Sequence, residues 1–111
     1  NLEFDFSTSV NVEHIMPSSG RNIKTIQQDA EISDSEEFKT LVNQLGNKVL
    51  LEGNINKSIS NDWFKTKKSK YANSKYNMAL ALANYPKDKW TPEDIKKATK
   101  QASDRILNFL F

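Results

Sequence analysis

The sequence predicts an α+β fold that is mostly helical, with a small pair of strands among about four helices. Two segments carry the pattern of short strands, and four others combine capping residues with the apolar spacing of helices. The chain has 111 residues, of which 37% are hydrophobic and 10% aromatic. Because about 100–200 residues make one domain, we expect residues 1–111 to form a single domain with its own core.

The strand segments are recognised by their apolar pattern. Residues 2–6 alternate apolar and polar side chains, and residues 10–15 repeat this pattern until the Pro-Ser-Ser-Gly stretch at 17–20 breaks it. Residues 48–51 are too short and too apolar for a surface helix, so we expect a strand there, antiparallel to the one that ends at His14. Residues 21–33 have no strong period, which predicts a loop.

The first predicted helix begins at residues 33–37, where capping residues are followed by acids in the first turn. Its apolar residues recur with the helical period: Phe38, Leu41, Val42 and Leu45. Gly46 is well placed to end this helix in a left-handed cap. After the second strand, residues 53–60 are rich in Asn and Ser, which predicts a turn or one irregular helical turn.

Three further helices are predicted in the second half of the chain. One runs from a cap at residues 60–61 to about residue 71, and the next runs from a cap at residues 73–74 to about residue 85. The last begins with Thr91 as the N-cap and Pro92 at the first helical position. Its apolar residues form one stripe toward the C-terminus: Ile95, Ala98, Ala102, Ile106 and Phe109.

Composition excludes several classes of protein. The absence of cysteine rules out disulfides, thiolate zinc sites and cysteine nucleophiles. No apolar run approaches the roughly 20 residues that span a bilayer, and no signal peptide is visible, so we expect a cytoplasmic protein that does not bind a membrane. Since the sequence does not begin with Met, we expect a domain excised from a longer protein, with a processed chain as the alternative.

The net charge of +2 hides an asymmetry between the two halves of the chain. Residues 1–56 have a net charge of −5, whereas residues 57–111 have a net charge of +7. A basic half indicates a surface for a polyanion such as nucleic acid. A solvated helix face that is rich in lysine explains the charge equally well.

The residues that could perform chemistry lie in two segments. His14 is the one histidine, and it follows Glu13 near the end of a predicted strand. Successive side chains of a strand point to opposite faces, so these two reach a common site only if the strand bends or ends there. The second segment contains Asn47 and Asn56. An Asn amide oxygen suits a magnesium-like ion, although Asn-rich loops are usually only turns.

Together these segments resemble the HNH nuclease motif of the His-Me finger, or ββα-metal, class. The closer resemblance is to the C-terminal nuclease domain of GmrSD-type, modification-dependent restriction endonucleases, and it covers about residues 12–95. One position departs from that pattern, because Ala98 stands where an Arg is expected. The matching pieces are Glu13-His14-Ile15-Met16-Pro17, Leu45-Gly46-Asn47-Lys48-Val49-Leu50-Leu51, Asn56, Ser60-Asn61 with Phe64, Lys67, Tyr71 and Ser74, and Trp90.

The resemblance implies a ββα-metal core and a role for each matching residue. His14 would be the general base that takes a proton from the attacking water. Glu13 and Asn56 would hold a divalent metal, with Mg²⁺ as the expected ion. The predicted catalytic residues are His14, Asn47 and Asn56. Asn47 would support the site by pinning the loop and orienting the His14 segment. A neutral imidazole suits proton transfer, and an ion with few protein ligands leaves positions open for phosphate and water.

The predicted helix that follows these residues is rich in lysine. We expect its lysines to contact DNA phosphates, but only two or three of them at one time, because they wrap around more than half of the helix. The alternative is that they only make the surface soluble. The predicted DNA-binding set is Lys57, Lys65, Lys67, Lys68 and Lys70.

The sequence therefore predicts a metal-dependent DNA endonuclease domain. By resemblance it would be the C-terminal part of a restriction or phage-defence protein, with a ParB-like, nucleotide-hydrolysing N-terminal domain or subunit as its partner. A second hypothesis is a non-catalytic nucleic-acid-binding module on a degenerate nuclease fold, and the intact motif argues against it. A third is a helical protein-interaction domain, which predicts weak DNA binding that does not respond to salt.

Overall fold

A two-stranded antiparallel sheet organises the fold in the computed structural model, which describes residues 9–59 and 62–110. Strand β1 (Val10–His14) pairs with strand β2 (Lys48–Glu52), so that Val10 lies opposite Glu52 and His14 lies opposite Lys48. Both strands and their antiparallel pairing confirm the prediction. The further strand predicted at residues 2–6 lies outside the described residues.

The two faces of the sheet differ in burial, as the period-two alternation requires. Glu13, Val49 and Leu51 point inward and are buried. On the other face, Val12 and Leu50 remain 58% and 49% exposed. Strand β1 therefore directs Glu13 into the protein and turns its last residue, the half-buried His14, toward the more open face.

The first helix after β1 was not predicted. Helix α1 (Ile23–Asp29) occupies part of the segment expected to be a loop, and that prediction is wrong. No side chain caps its first turn, and its buried residue is Ile26. Ile23 packs against the core one turn away. Packing of these two isoleucines, rather than local capping, holds this short helix, which explains why its sequence carries so weak a signal.

Helix α2 (Ser35–Val42) begins as predicted, because the Asp34 carboxylate accepts hydrogen bonds from the backbone of Glu36 and Glu37. It ends at Val42, before Gly46. Gly46 lies in a separate 3₁₀ turn (Leu45–Asn47) and does not adopt a positive φ, so the left-handed cap predicted there is wrong. The glycine is needed because a helix packs directly against its backbone.

Three short helices follow β2. Helix α3 (Gly53–Ile59) is longer than the single irregular turn predicted for this segment. Helix α4 (Phe64–Tyr71) ends where it was expected to end, and the predicted cap at residues 60–61 lies outside the described residues. Helix α5 (Asn77–Ala83) begins later than residues 73–74, because the Ser74 hydroxyl donates to the Glu52 carboxylate at 2.6 Å instead of capping a helix.

Helix α6 (Pro92–Leu110) begins with the predicted cap. The Thr91 backbone N–H donates to the Asp94 carboxylate at 2.8 Å, and the Asp94 backbone N–H donates to the Thr91 hydroxyl. This reciprocal pair is a capping box. The predicted apolar stripe is buried only at its start: Ile95 is fully buried, whereas Ile106 is 51% and Phe109 is 89% exposed. The described residues thus contain six α-helices where about four were expected.

The core lies between the inner face of the sheet and the surrounding helices. Fully buried side chains from four elements contribute to it, namely Leu51, Ile59, Tyr71 and Ile95. An aromatic group adjoins them, formed by Phe64, Tyr85 and Trp90 with ring centroids 5.1 to 5.9 Å apart. None of the helices that the structure describes is long and apolar enough to cross a membrane.

The close packing at Gly46 predicts a large effect of Gly46→Ala on stability. The added Cβ would lie 2.3 Å from the Thr99 backbone nitrogen and 2.4 Å from the Ile95 carbonyl oxygen. These are backbone atoms of α6, so the helix itself would have to move. Since overpacking costs about 1–3 kcal/mol, we expect a loss at or above the upper end of that range in urea unfolding.

Leu45→Ala is the control for this measurement, because Leu45 lies in the same turn with a side chain that is 46% exposed. It should lower the free energy of unfolding by much less than Gly46→Ala. Equal losses in the two variants would show that α6 does not pack against this turn as described.

Candidate active site

His14 lies where strand β1 ends, on the open face of the sheet. Its ring nitrogen Nε2 is 3.1 Å from the side-chain oxygen Oδ1 of Asn43. Asn43 is the C-cap residue of helix α2, so the imidazole lies between the end of a strand and the end of a helix. The ring is half-buried, which leaves part of it accessible to a substrate.

Asn47 fixes the backbone that follows His14. Its side chain is fully buried, accepts a hydrogen bond from the Met16 N–H at 2.8 Å and donates to the Met16 carbonyl at 2.9 Å. It also donates to the Val42 carbonyl at 2.8 Å, and its own carbonyl accepts from the Ile15 N–H. These contacts hold residues 15 and 16 in place, and the role of Asn47 in orienting His14 for a reaction stays a prediction.

Lys67 fixes the same strand end from the other side. Its ammonium group is fully buried and lies 3.2 Å from both carboxylate oxygens of Glu13. It also donates to the His14 carbonyl at 2.7 Å and to the Ile15 carbonyl at 3.1 Å. The Tyr71 hydroxyl, one turn further along α4, donates to Glu13 Oε2 at 2.5 Å. One buried charge pair therefore ties helix α4 to the end of β1.

The environment of this pair shifts the pKa values of its members. Burial lowers the pKa of the Lys67 ammonium, and the adjacent Glu13 carboxylate offsets part of that change. Burial and the same carboxylate both raise the pKa of the Tyr71 hydroxyl. The hydroxyl therefore keeps its proton at neutral pH and remains a donor to Glu13.

Glu13 does not fit the predicted role of metal ligand. Its side chain is 5% exposed, and both carboxylate oxygens already accept hydrogen bonds from Lys67 or Tyr71. It also points to the face of the sheet opposite His14, because the two residues are consecutive in a strand. Within the described part of the chain, no three His, Cys, Asp or Glu side chains form a group that could hold a metal ion.

Asn56, the other predicted ligand, lies in helix α3 and is half-buried. Helix α3 follows β2 directly and contacts both strands of the sheet. The fold thus brings the helix of Asn56 to the two-stranded sheet that carries His14. The convergence of His14 and Asn56 on one site stays a prediction, whereas Glu13 is directed away from His14.

The predicted DNA-binding lysines divide into exposed and structural residues. Lys67 is completely buried, so it is unsuited to the phosphate contact predicted for it. Lys68 is partly buried and donates to the carbonyls of Tyr85 and Lys87 at 2.6 and 2.9 Å, which ties α4 to the segment before α6. The remaining three are exposed: Lys57, Lys65 and Lys70.

The comparison with protein families identifies the chain. The family model described as the C-terminal domain of GmrSD restriction endonucleases matches residues 1–103. The chain belongs to this family. The match includes His14, Asn47, Asn56 and the whole of α4. No curated protein and no solved structure was found to match the chain. As a member of the GmrSD C-terminal family, the protein is a restriction endonuclease domain.

The sequence did not reveal the structural position of two residues in this GmrSD-family domain, Asn43 and Lys67. It did not single out Asn43, whose side chain contacts His14, because nothing in the sequence distinguishes Asn43 from the other asparagines near it. It also assigned Lys67 to the surface. The spacing of Phe64, Lys67 and Tyr71 could have revealed the inward position, since residues i, i+3 and i+7 share one helix face.

The buried pair predicts that Lys67→Met is strongly destabilising. The substitution would leave the Glu13 carboxylate in the core without its counter-charge and would leave two backbone carbonyls without their donor. Removing one partner of a buried ion pair costs about 3–5 kcal/mol, and we expect a loss of that size in urea unfolding. Lys65→Met is the matched control, because Lys65 is exposed on the same helix and should change stability by less than about 0.5 kcal/mol. Similar stabilities for the two variants would contradict the buried position of Lys67.

Proposed function

We propose that the chain is an HNH-type endonuclease domain that hydrolyses DNA phosphodiester bonds with His14 as the general base. The observation that carries this proposal is the fixed position of His14. Its carbonyl is bound by the buried Lys67, the next two residues are held by Asn47, and its imidazole remains partly accessible. A general base needs this combination of fixed backbone and accessible ring.

A ββα-metal core is the architecture that we propose around His14. Its support is the arrangement of β1, β2 and α3, in which two antiparallel strands are followed at once by a helix that contacts both. His14 lies at the end of the first strand and Asn56 lies within the helix. The resemblance of the sequence motifs to the His-Me finger class supports the same architecture.

The reaction proposed for His14 is proton transfer from water. The imidazole takes a proton from the water molecule while the water oxygen forms a bond to the phosphorus atom and the bond from phosphorus to the leaving oxygen breaks. The proton thus moves to His14, and the leaving oxygen takes a proton from solvent. Neutral imidazole suits this task because it changes charge near neutral pH.

Dependence on a divalent ion, with Mg²⁺ as the expected one, is a proposal that rests on the motif resemblance. The position of Glu13 argues against it as a ligand, because Lys67 and Tyr71 occupy its oxygens. Asn56, the other predicted ligand, is half-buried and does not belong to the buried network of Glu13, Lys67 and Tyr71. Chelation with EDTA before the reaction, followed by added Mg²⁺, tests whether cleavage needs the ion.

The proposed partners are DNA and an upstream nucleotide-hydrolysing module. The family name identifies restriction endonucleases, which supports DNA as the substrate. The ParB-like N-terminal domain or subunit is proposed from the resemblance alone. Phosphate contacts from lysines position a protein on DNA but do not read its bases, so we assign target selection to the upstream module.

His14→Ala should lower the rate of DNA cleavage by about 10²–10⁴-fold, the usual contribution of general acid–base catalysis. Binding to DNA should be nearly unchanged, because the imidazole is not proposed to hold phosphate. The assay follows nicking of a supercoiled plasmid and, separately, binding of a labelled duplex. The unfolding midpoint of the variant serves as the folding control.

Two results would contradict the role of His14. A folded His14→Ala variant that cuts at the wild-type rate would show that another group is the base. A wild-type domain that binds the duplex but does not cut it, with or without Mg²⁺, would favour the non-catalytic binding module.

The exposed lysines predict how binding depends on salt. Each phosphate neutralised on duplex DNA contributes about −0.9 to the slope of log affinity against log salt, so contacts from Lys57, Lys65 and Lys70 give a slope of about −2 to −3. Replacing Lys65 with Ala should make this slope less steep by about 0.9. Lys24→Ala, an equal change of charge on helix α1, is the control and should leave the slope unchanged. A slope near zero for the wild-type domain would exclude these phosphate contacts.

A further inference from the structure

We propose that Asn43 is a positioning residue that fixes His14 in one tautomer and leaves Nδ1 as the nitrogen that accepts the proton. The inference rests on the proposed role of His14 as a base, and it adds a residue and an atom to that role. It follows from the two hydrogen bonds of the Asn43 side-chain amide, because the amide nitrogen can only donate and the amide oxygen can only accept.

The orientation of the Asn43 amide is determined by helix α2. Its Nδ2 group donates to the Lys39 carbonyl at 2.9 Å, and a carbonyl oxygen can only accept. Turning the amide over would place two oxygens against each other. The nitrogen end of the side chain must therefore face Lys39, and the oxygen end, Oδ1, must face His14.

This orientation determines which nitrogen of His14 carries the proton. Oδ1 of Asn43 can only accept, so His14 Nε2, at 3.1 Å, must be the donor. A neutral imidazole has one ring proton. With that proton on Nε2, Nδ1 keeps its lone pair. Within residues 9–59 and 62–110, Nδ1 has no hydrogen-bond partner, so its lone pair is free to bind a water molecule.

The side chain of Asn43, which orients His14, carries no charge, whereas two lysines lie near His14. Lys48 lies directly opposite His14 in the sheet, and the Lys67 ammonium binds the His14 carbonyl. Asn43 orients the ring without adding a charge of its own. A carboxylate in its place would attract the proton and stabilise the imidazolium, which cannot act as a base.

The test uses three variants and the fact that His14 is the one histidine in the chain. Two-dimensional ¹H–¹⁵N spectra of the neutral ring report directly which nitrogen is protonated, with no need for assignment among several histidines. We expect the wild-type domain to show a protonated Nε2 and an unprotonated Nδ1. Asn43→Ala should show a mixture of the two tautomers.

Asn84→Ala is the matched control. Asn84 also ends a helix, α5, and its Nδ2 donates to the carbonyl four residues earlier, that of Leu80, at 3.0 Å. It therefore reproduces the helix-end role of Asn43 without the contact to histidine. It should lose a similar amount of stability and leave both the tautomer and the cleavage rate unchanged.

Activity gives a second measurement. Loss of a group that orients a metal-bound histidine typically costs about 10–100-fold in activity, and we expect Asn43→Ala to slow cleavage by a similar factor. Asn43→Asp should keep the ring oriented but move the acidic limb of the pH–rate profile to higher pH, because the carboxylate stabilises the protonated ring. A purely structural role of Asn43 would not move this limb.

The outcomes separate the two proposals. An Nε2-protonated wild-type ring that becomes mixed in Asn43→Ala supports the positioning role, even if the domain proves unable to cut DNA, in which case only the nuclease proposal fails. A wild-type ring protonated on Nδ1, or an Asn43→Ala ring with an unchanged tautomer, overturns the positioning role, even if the domain cuts DNA.

Discussion

The buried ammonium of Lys67 is the interaction on which the site depends. A charge inside a protein is tolerated only when its donors are satisfied, and Lys67 finds acceptors on Glu13 and on the carbonyls of His14 and Ile15. All of these groups belong to the last residues of β1 and the residue after it. Satisfying one charge therefore determines where the strand ends, and with it the backbone position of His14.

The two consecutive residues Glu13 and His14 serve different purposes because a strand sends them to opposite faces. Glu13 is directed inward, where it joins helix α4 to the sheet. His14 is directed outward, where its ring can meet a substrate. Asn47 lies in the 3₁₀ turn after α2, and its side chain binds both Val42 of that helix and Met16 of the segment that follows His14. A two-stranded sheet is only marginally stable by itself. Here the hydrogen bonds of Lys67 with Glu13 and those of Asn47 hold the end of β1 in place.

Most of the fold could be predicted because local signals specify it. Alternation identified β1, a short apolar run identified β2, and Asp34 and Thr91 marked the starts of two helices. The failures have a common cause, which is that they depend on distant residues. Lysine is normally exposed, so the inward position of Lys67 becomes favourable only through Glu13, 54 residues earlier. Likewise Gly46 is required by α6 and not by the end of α2, and Asn43 acquires a role only beside His14.

The contact between Gly46 and Thr99 also bears on how the domain is made. It joins residues 53 positions apart, and the pair of Glu13 and Lys67 spans 54. On the ribosome, helix α2 can form early, but β1 lacks its partner until β2 has emerged, and Gly46 lacks its contact with Thr99 until α6 has emerged. Non-local contacts of this kind slow folding, because the chain between them must first be brought together. The packing of Gly46 on α6 and the pairing of Lys67 with Glu13 are therefore complete only after most of the chain has been synthesised.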